Sequence, residues 1–201
     1  MPDTGAPHFI PFADPTDLVR DWPALSEDVA NAVADGLDAA GGLVAVKSAI
    51  FTGTQVESNV AISGNFAVTD LEITHALADA SNKLIISAFL GAAGTSAGRG
   101  NVGIAVHDGT GLIAVGDADG SRTRVTAGGR VNQESGTVIV TMPSVTFVHT
   151  PNTTDSKTYT VRAINVDRDP NTLYINRVQT DNNDGRRPLA VSSLVVQEVK
   201  V

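Results

Sequence analysis

The residues of this chain best able to do chemistry are four histidines, His8, His75, His107 and His149, and two clusters of acids with glycine. Histidine changes charge near neutral pH and serves both as general base and as metal ligand. Here the four lie far apart, with no HExxH, no HxH and no histidine–carboxylate pair at ligand spacing, so a zinc site has no local support. His75 shares strand parity with Leu71, Ile73 and Leu77, and His149 with Val145 and Phe147, which reads as two partly buried strand residues. Asp117-Ala118-Asp119-Gly120-Ser121 opens like a calcium loop. An EF-hand then requires glycine at the sixth position and glutamate at the twelfth, where this chain has Arg122 and Gly128, so a turn is the better reading. Asp181-Asn182-Asn183-Asp184-Gly185 reads as a hairpin tip in the same way. Gly109-Thr110-Gly111 with Gly116 is followed by a strand pattern, whereas a dinucleotide loop opens a helix. With no GxSxG elbow and no cysteine, neither a serine nor a cysteine nucleophile is signalled. No catalytic, cofactor or metal residue is assigned, and a non-enzymatic role without cofactor is expected.

The scaffold around these residues is divided by charge. Residues 1–42 hold eight acids (Asp3, Asp14, Asp17, Asp21, Glu27, Asp28, Asp35, Asp38) against Arg20, so 1 − 8 = −7 of the chain's −8, and five of its nine prolines. The rest carries 13 − 14 = −1. At 201 residues with 42% hydrophobic content the chain can build one sizeable core plus an appendage. Nineteen glycines and only 4% aromatic residues suit a β-rich body of Val, Ile, Thr, Ala and Ser with glycine in its turns. The acidic balance and scattered arginines argue against nucleic-acid binding. No stretch reaches the ~20 apolar residues of a membrane span, and residues 1–15 have neither the basic start nor the apolar core of a signal peptide.

Three regions follow. Residues 1–20 have a proline roughly every four residues, which excludes helix and central strand and leaves an extended attachment arm carrying Phe9, Ile10 and Phe12. Residues 21–42 read as one short helix with Asp21 as cap, Pro23 in the first turn and an apolar stripe through Leu25, Val29, Val33 and Leu37, ended by the Gly41-Gly42 hinge. From Leu43 to Val201 the period changes to two, and ten to twelve short strands separated by turn residues indicate an antiparallel β-sandwich or jelly roll. Phe66 and Val68 are out of parity with Leu71, Ile73, His75 and Leu77, so a bulge near Thr69-Asp70 is expected. Asp108-Gly109-Thr110-Gly111 predicts a hairpin returning through Leu112–Val115. LIISAFL (84–90) and SLVV (193–196) are apolar on both parities, which points to strands covered on two sides, the second side by neighbouring subunits.

Two stretches resemble bacteriophage small tail or neck fibre and appendage proteins. Thr146-Phe147-Val148-His149-Thr150-Pro151-Asn152-Thr153-Thr154 with Lys157-Thr158-Tyr159-Thr160-Val161-Arg162 is similar to their "F-x-D-x-P-x-T-T" loop and following Y-x-V strand. Ser192-Ser193-Leu194-Val195-Val196-Gln197-Glu198-Val199 is similar to their closing strand, and Phe12 to Pro23 resembles a virion-attachment segment. The resemblance implies a trimeric jelly-roll domain, an N-terminal segment docked on the particle, and distal loops toward the host.

The resulting expectation is a structural component of a phage virion: a homotrimeric tail or neck fibre attached to other virion proteins through its arm. Phe9, Ile10, Phe12, Leu18 and Trp22 are the docking candidates. Leu25, Val29, Val33 and Leu37 are the helix self-packing candidates. Asp117, Asp119, Arg122, Asp181, Asp184 and Arg186 are candidate distal-loop contacts to a host-surface glycan or protein. The alternatives are a capsid decoration or cement protein and a carbohydrate-binding β-sandwich whose sugar platforms are Tyr159 and Tyr174.

Overall fold

The two-residue alternation that begins at Leu43 becomes strand at that residue. In the computed structural model, residues 42–96, 99–134, 137–139, 141–167, 169–178 and 189–201 are described. Among them are thirteen strands and no helix. In chain order these are β1 (Leu43–Phe51), β2 (Gln55–Val60), β3 (Asn65–His75), β4 (Lys83–Phe89), β5 (Ala93–Thr95), β6 (Arg99–His107) and β7 (Leu112–Ile113). Then come β8 (Ala127–Glu134), β9 (Thr137–Ile139), β10 (Ser144–His149), β11 (Lys157–Asn165), β12 (Asn171–Ile175) and β13 (Ser192–Val199). The expected arm and helix lie outside the described residues.

Every pairing is antiparallel. One sheet runs β1-β13-β4-β10, a second β3-β11-β6-β8-β9 with β7 on β6, and a third β2-β12-β5. One apolar cluster draws on all three, including Leu71, Leu84, Ile86, Ile104, Val161, Leu173 and Leu194. Burying each such aliphatic side chain contributes about 1.5–3 kcal/mol, so the shared core holds the sheets together.

The bulge falls where the parity break requires it. Between Thr160 and Arg162 β11 advances two residues, while its partner β3 advances five, from Glu72 to Ala67, leaving 5 − 2 = 3 extra residues. Asp70 within the bulge has φ 58, and both Val68 and Leu71 point into the core. The hairpin forms with Gly109 at φ 91, a conformation glycine adopts without a Cβ penalty. Its returning strand is shorter than expected, Leu112–Ile113, because Ala114 takes φ 52 and turns the chain away. Beyond β9, Thr141 makes an isolated bridge to Ala93.

Two buried asparagines fasten the small sheet. Asn176 donates through Nδ2 to the carbonyls of Phe51 (2.8 Å) and Gly53 (2.9 Å) and accepts from Ser192 Oγ (2.6 Å). Asn165 donates to the carbonyls of Val60 and Asp169, both at 2.9 Å. Each thereby ties the end of a strand, at Phe51 or Val60, to a loop carbonyl.

Candidate functional site

In an antiparallel pair, residues directly opposite one another point to the same face. That rule and the observed register assign the outward side of the β1-β13-β4-β10 sheet. Leu43, Val46, Ser48 and Ile50 of β1 are matched to Val199, Gln197, Val195 and Ser193 of β13. Those residues face Lys83, Ile85, Ser87 and Phe89 of β4, and Phe89, Ser87 and Ile85 face Ser144, Thr146 and Val148 of β10. Lys83 is the one charged side chain in this set. Leu43 (60% exposed), Val46 (52%), Ile50 (60%) and Val148 (62%) lie open to solvent on the two outer strands. On the central strands Ile85, Phe89, Val195 and Val199 are half-buried. At ordinary strand spacing the surface spans ~14 Å by ~20 Å.

Within one chain, LIISAFL is fully covered on its core side alone. β4 alternates between buried Leu84, Ile86 and Ala88 and half-buried Ile85, Ser87 and Phe89. Along the β1 edge, by contrast, a bulge at Leu43/Ala45 and the cation of Lys47, bonded to the Thr74 carbonyl at 2.7 Å, oppose strand-to-strand addition. The available surface is the face of the sheet.

A second feature joins residues that the sequence keeps far apart. Glu198, 1% exposed, accepts from His75 Nε2 (2.8 Å), Asn82 Nδ2 (2.6 Å) and the Ala78 amide (2.8 Å). Burial raises the Glu198 pKa, but the bonds from Asn82, Ala78 and His75 outweigh it and hold the carboxyl below its usual range. Close by in the register, Asp108 is buried and bonded to Lys157 Nζ (2.7 Å), the Thr110 hydroxyl (2.6 Å) and the amides of Thr110 and Gly111. Burial raises its pKa too, yet Lys157 and the Thr110 and Gly111 donors bring it well below the carboxylate range. His149 packs edge-on against Tyr159 with ring centroids 5.9 Å apart, and its buried Nε2 has no hydrogen-bond partner. Burial, with Lys157 adding and Asp108 opposing, lowers the His149 pKa. Burial and the Asp108 charge push Tyr159 up to about 12.

The third feature is the β7–β8 connection. Ser63 Oγ and Thr123 Oγ1 lie 2.7 Å apart, linking it to the β2–β3 turn, and Val125 packs over Gly103 where a Cβ would collide with it. An open cleft of about 520 Å³ lies there, lined by Ile62, Ser121, Arg122, Thr123, Val166 and Asp167.

Of the distal-loop candidates, Asp117, Asp119 and Arg122 are exposed on this connection; Arg122 pairs with Asp119 at 2.9 Å and lines the cleft. Asp181, Asp184 and Arg186 lie outside the described residues, as do the docking set Phe9, Ile10, Phe12, Leu18 and Trp22 and the helix set Leu25, Val29, Val33 and Leu37. Tyr159 cannot serve as a sugar platform: it is 1% exposed, its ring being part of the core. Tyr174 is half-buried with the Arg177 guanidinium carbon 5.7 Å from its ring centre. The Glu198 cluster escaped sequence reading because His75 and Glu198 are 123 residues apart; their shared core parity was the available signal. Among the described residues no group of three metal-ligating side chains converges, and no helix is long and apolar enough to cross a membrane. No family model matches the chain, and no curated protein matches it.

Proposed function

We propose that this chain is a non-enzymatic structural subunit of a phage virion, a trimeric tail or neck fibre whose β-unit is a jelly roll. The observation that carries the reading is the outward face of the β1-β13-β4-β10 sheet, apolar and hydroxyl-bearing with Lys83 as its one charge. Such a face costs little to desolvate and gains by meeting a like face, which suits contact between copies. Strand order supports the finer fold. Setting aside the small third sheet with β7 and β9, the eight remaining strands run first-eighth-third-sixth in one sheet and second-seventh-fourth-fifth in the other. Every successive step but the one from fourth to fifth thus crosses between sheets, the pattern of two interlocked Greek keys.

In this reading Phe9, Ile10, Phe12, Leu18 and Trp22 attach the subunit to other virion proteins, and Leu25, Val29, Val33 and Leu37 pack between copies. The β7–β8 connection, with Asp117, Asp119 and Arg122 beside the cleft, meets a host-surface glycan or protein. Electron microscopy of assembled particles with this chain gold-labelled tests the assignment. Label at the tail or neck that disappears when residues 1–22 are deleted agrees with it. Label spread over the capsid shell makes the protein a lattice cement, and absence of label removes the virion role.

A further inference from the structure

The register places the two titratable networks at one level of the fold. His149, Leu84 and Glu198 form a single row across β10, β4 and β13, all on the core side, and His75 is directly opposite Lys157 across β3 and β11. Tyr159 sits two residues further along β11, on the same side. One end of the hydrophobic core therefore carries a layer of ionisable groups around Leu84.

We propose that this layer is an acid-sensitive latch: proton uptake by His149 and Glu198 releases the 76–82 connection and the β10–β11 end while the rest of the sheets stay paired. The inference is independent of the virion reading. Every donor to the Glu198 carboxylate comes from the segment it would release or from the strand leading into it: His75, Ala78 and Asn82. A protonated carboxyl accepts those bonds more weakly, so the connection loses its polar tie to β13 and keeps only the apolar hold of Leu77 on the core. His149 faces the Tyr159 ring and Leu84, with Asp108 from the β6–β7 turn and Lys157 from β11 as the charges near it. Its unpartnered Nε2 tolerates the neutral ring, but an imidazolium makes both nitrogens donors and buries a charged N–H with no acceptor.

The sign of the coupling follows from both groups. His149 has a lowered folded pKa, so below its ordinary 6.5 the opened form takes up a proton that the closed form refuses. Glu198, also lowered, holds the latch above its ordinary 4.5 and lets go as pH falls through its folded value. Opening thus starts below pH 6.5 and steepens below about 4.5.

Hydrogen exchange by mass spectrometry on the full chain, corrected for intrinsic rates, tests this between pH 7.5 and 3.5. Protection across 145–157 is expected to fall by up to tenfold per pH unit below 6.5, the limit for one coupled proton, and protection across 76–84 to fall below about 4.5. Protection at Val102–Val106 in β6 should hold steady. His149→Phe keeps the edge-on ring packing and is expected to flatten the slope between pH 6.5 and 5. Should that variant fail to fold, NMR titration of the wild-type histidines decides, with His149 expected to titrate below 6.5. Protection of the two segments that ignores pH, an unchanged slope in His149→Phe, or a His149 titrating at 6.5 or above overturns the latch.

Discussion

Replacing Glu198 by alanine should be one of the most damaging single changes in the β-unit. The carboxylate is 1% exposed and satisfies three donors, of which His75 and Asn82 are themselves buried side chains. Water cannot reach those two without opening the strand ends, so each loses about 1–3 kcal/mol when its acceptor disappears. Breaking a buried pair by deleting one partner costs about 3–5 kcal/mol in total. For a domain of this size, one kcal/mol lowers Tm by roughly 2–4 °C, giving a fall on the order of 6–20 °C. Circular dichroism melts and urea titration of Glu198→Ala at pH 7.5 measure this. The double variant His75→Phe/Glu198→Leu should recover part of the loss, since an apolar pair removes the orphaned imidazole donor. A loss below about 1 kcal/mol in Glu198→Ala would falsify the assignment of these bonds as the anchor of the 76–82 connection.

Alkaline stability should depend on Tyr159. Its folded pKa of about 12 is raised above its ordinary 10, so its stabilisation is complete below pH 10 and lost as pH rises through 12. At about 1.4 kcal/mol per pKa unit the loss is on the order of 3 kcal/mol, and Tyr159→Phe should remove that alkaline slope in denaturant titrations. Gly103→Ala drives a methyl into Val125 and Val166, so it should cost about 1–3 kcal/mol and detach the β7–β8 connection. Limited proteolysis reads that detachment as faster cleavage near Asp117–Arg122; an unchanged cleavage rate contradicts the packing described.

Local features were the legible ones. The hairpin at Asp108–Gly111 rests on four consecutive residues: Asp108 N donates to Gly111 O, and Gly111 N donates to the Asp108 carboxylate, both at 3.1 Å. The bulge near Asp70 was legible because parity breaks between Val68 and Leu71, and both had to reach the same core. Contacts between distant strands were not legible. Nothing adjacent to His75 or Glu198 marks them as partners, and only the pairing of β13 with β4 and of β11 with β3 brings their strand ends to one level. Tyr159 looked like an exposed platform because tyrosine carries a polar tip; its parity with Val161 and Ala163 puts the ring in the core instead. The β7–β8 connection misled in a similar way, since turn residues describe its bends but not the apolar Val125 that ties it down over Gly103.

The claim on which the account rests is that the face bearing Ile50, Ile85, Phe89, Val148 and Val195 joins copies of this chain. Multi-angle light scattering on the purified protein at micromolar concentration, beside its Ile85→Asp and Val195→Asp variants, tests it most directly. The account expects a wild-type mass near three times 20.8 kDa, about 62 kDa, and variants that melt like wild type yet elute at one third of that mass. A wild-type monomer, or a trimer indifferent to both aspartates, contradicts it.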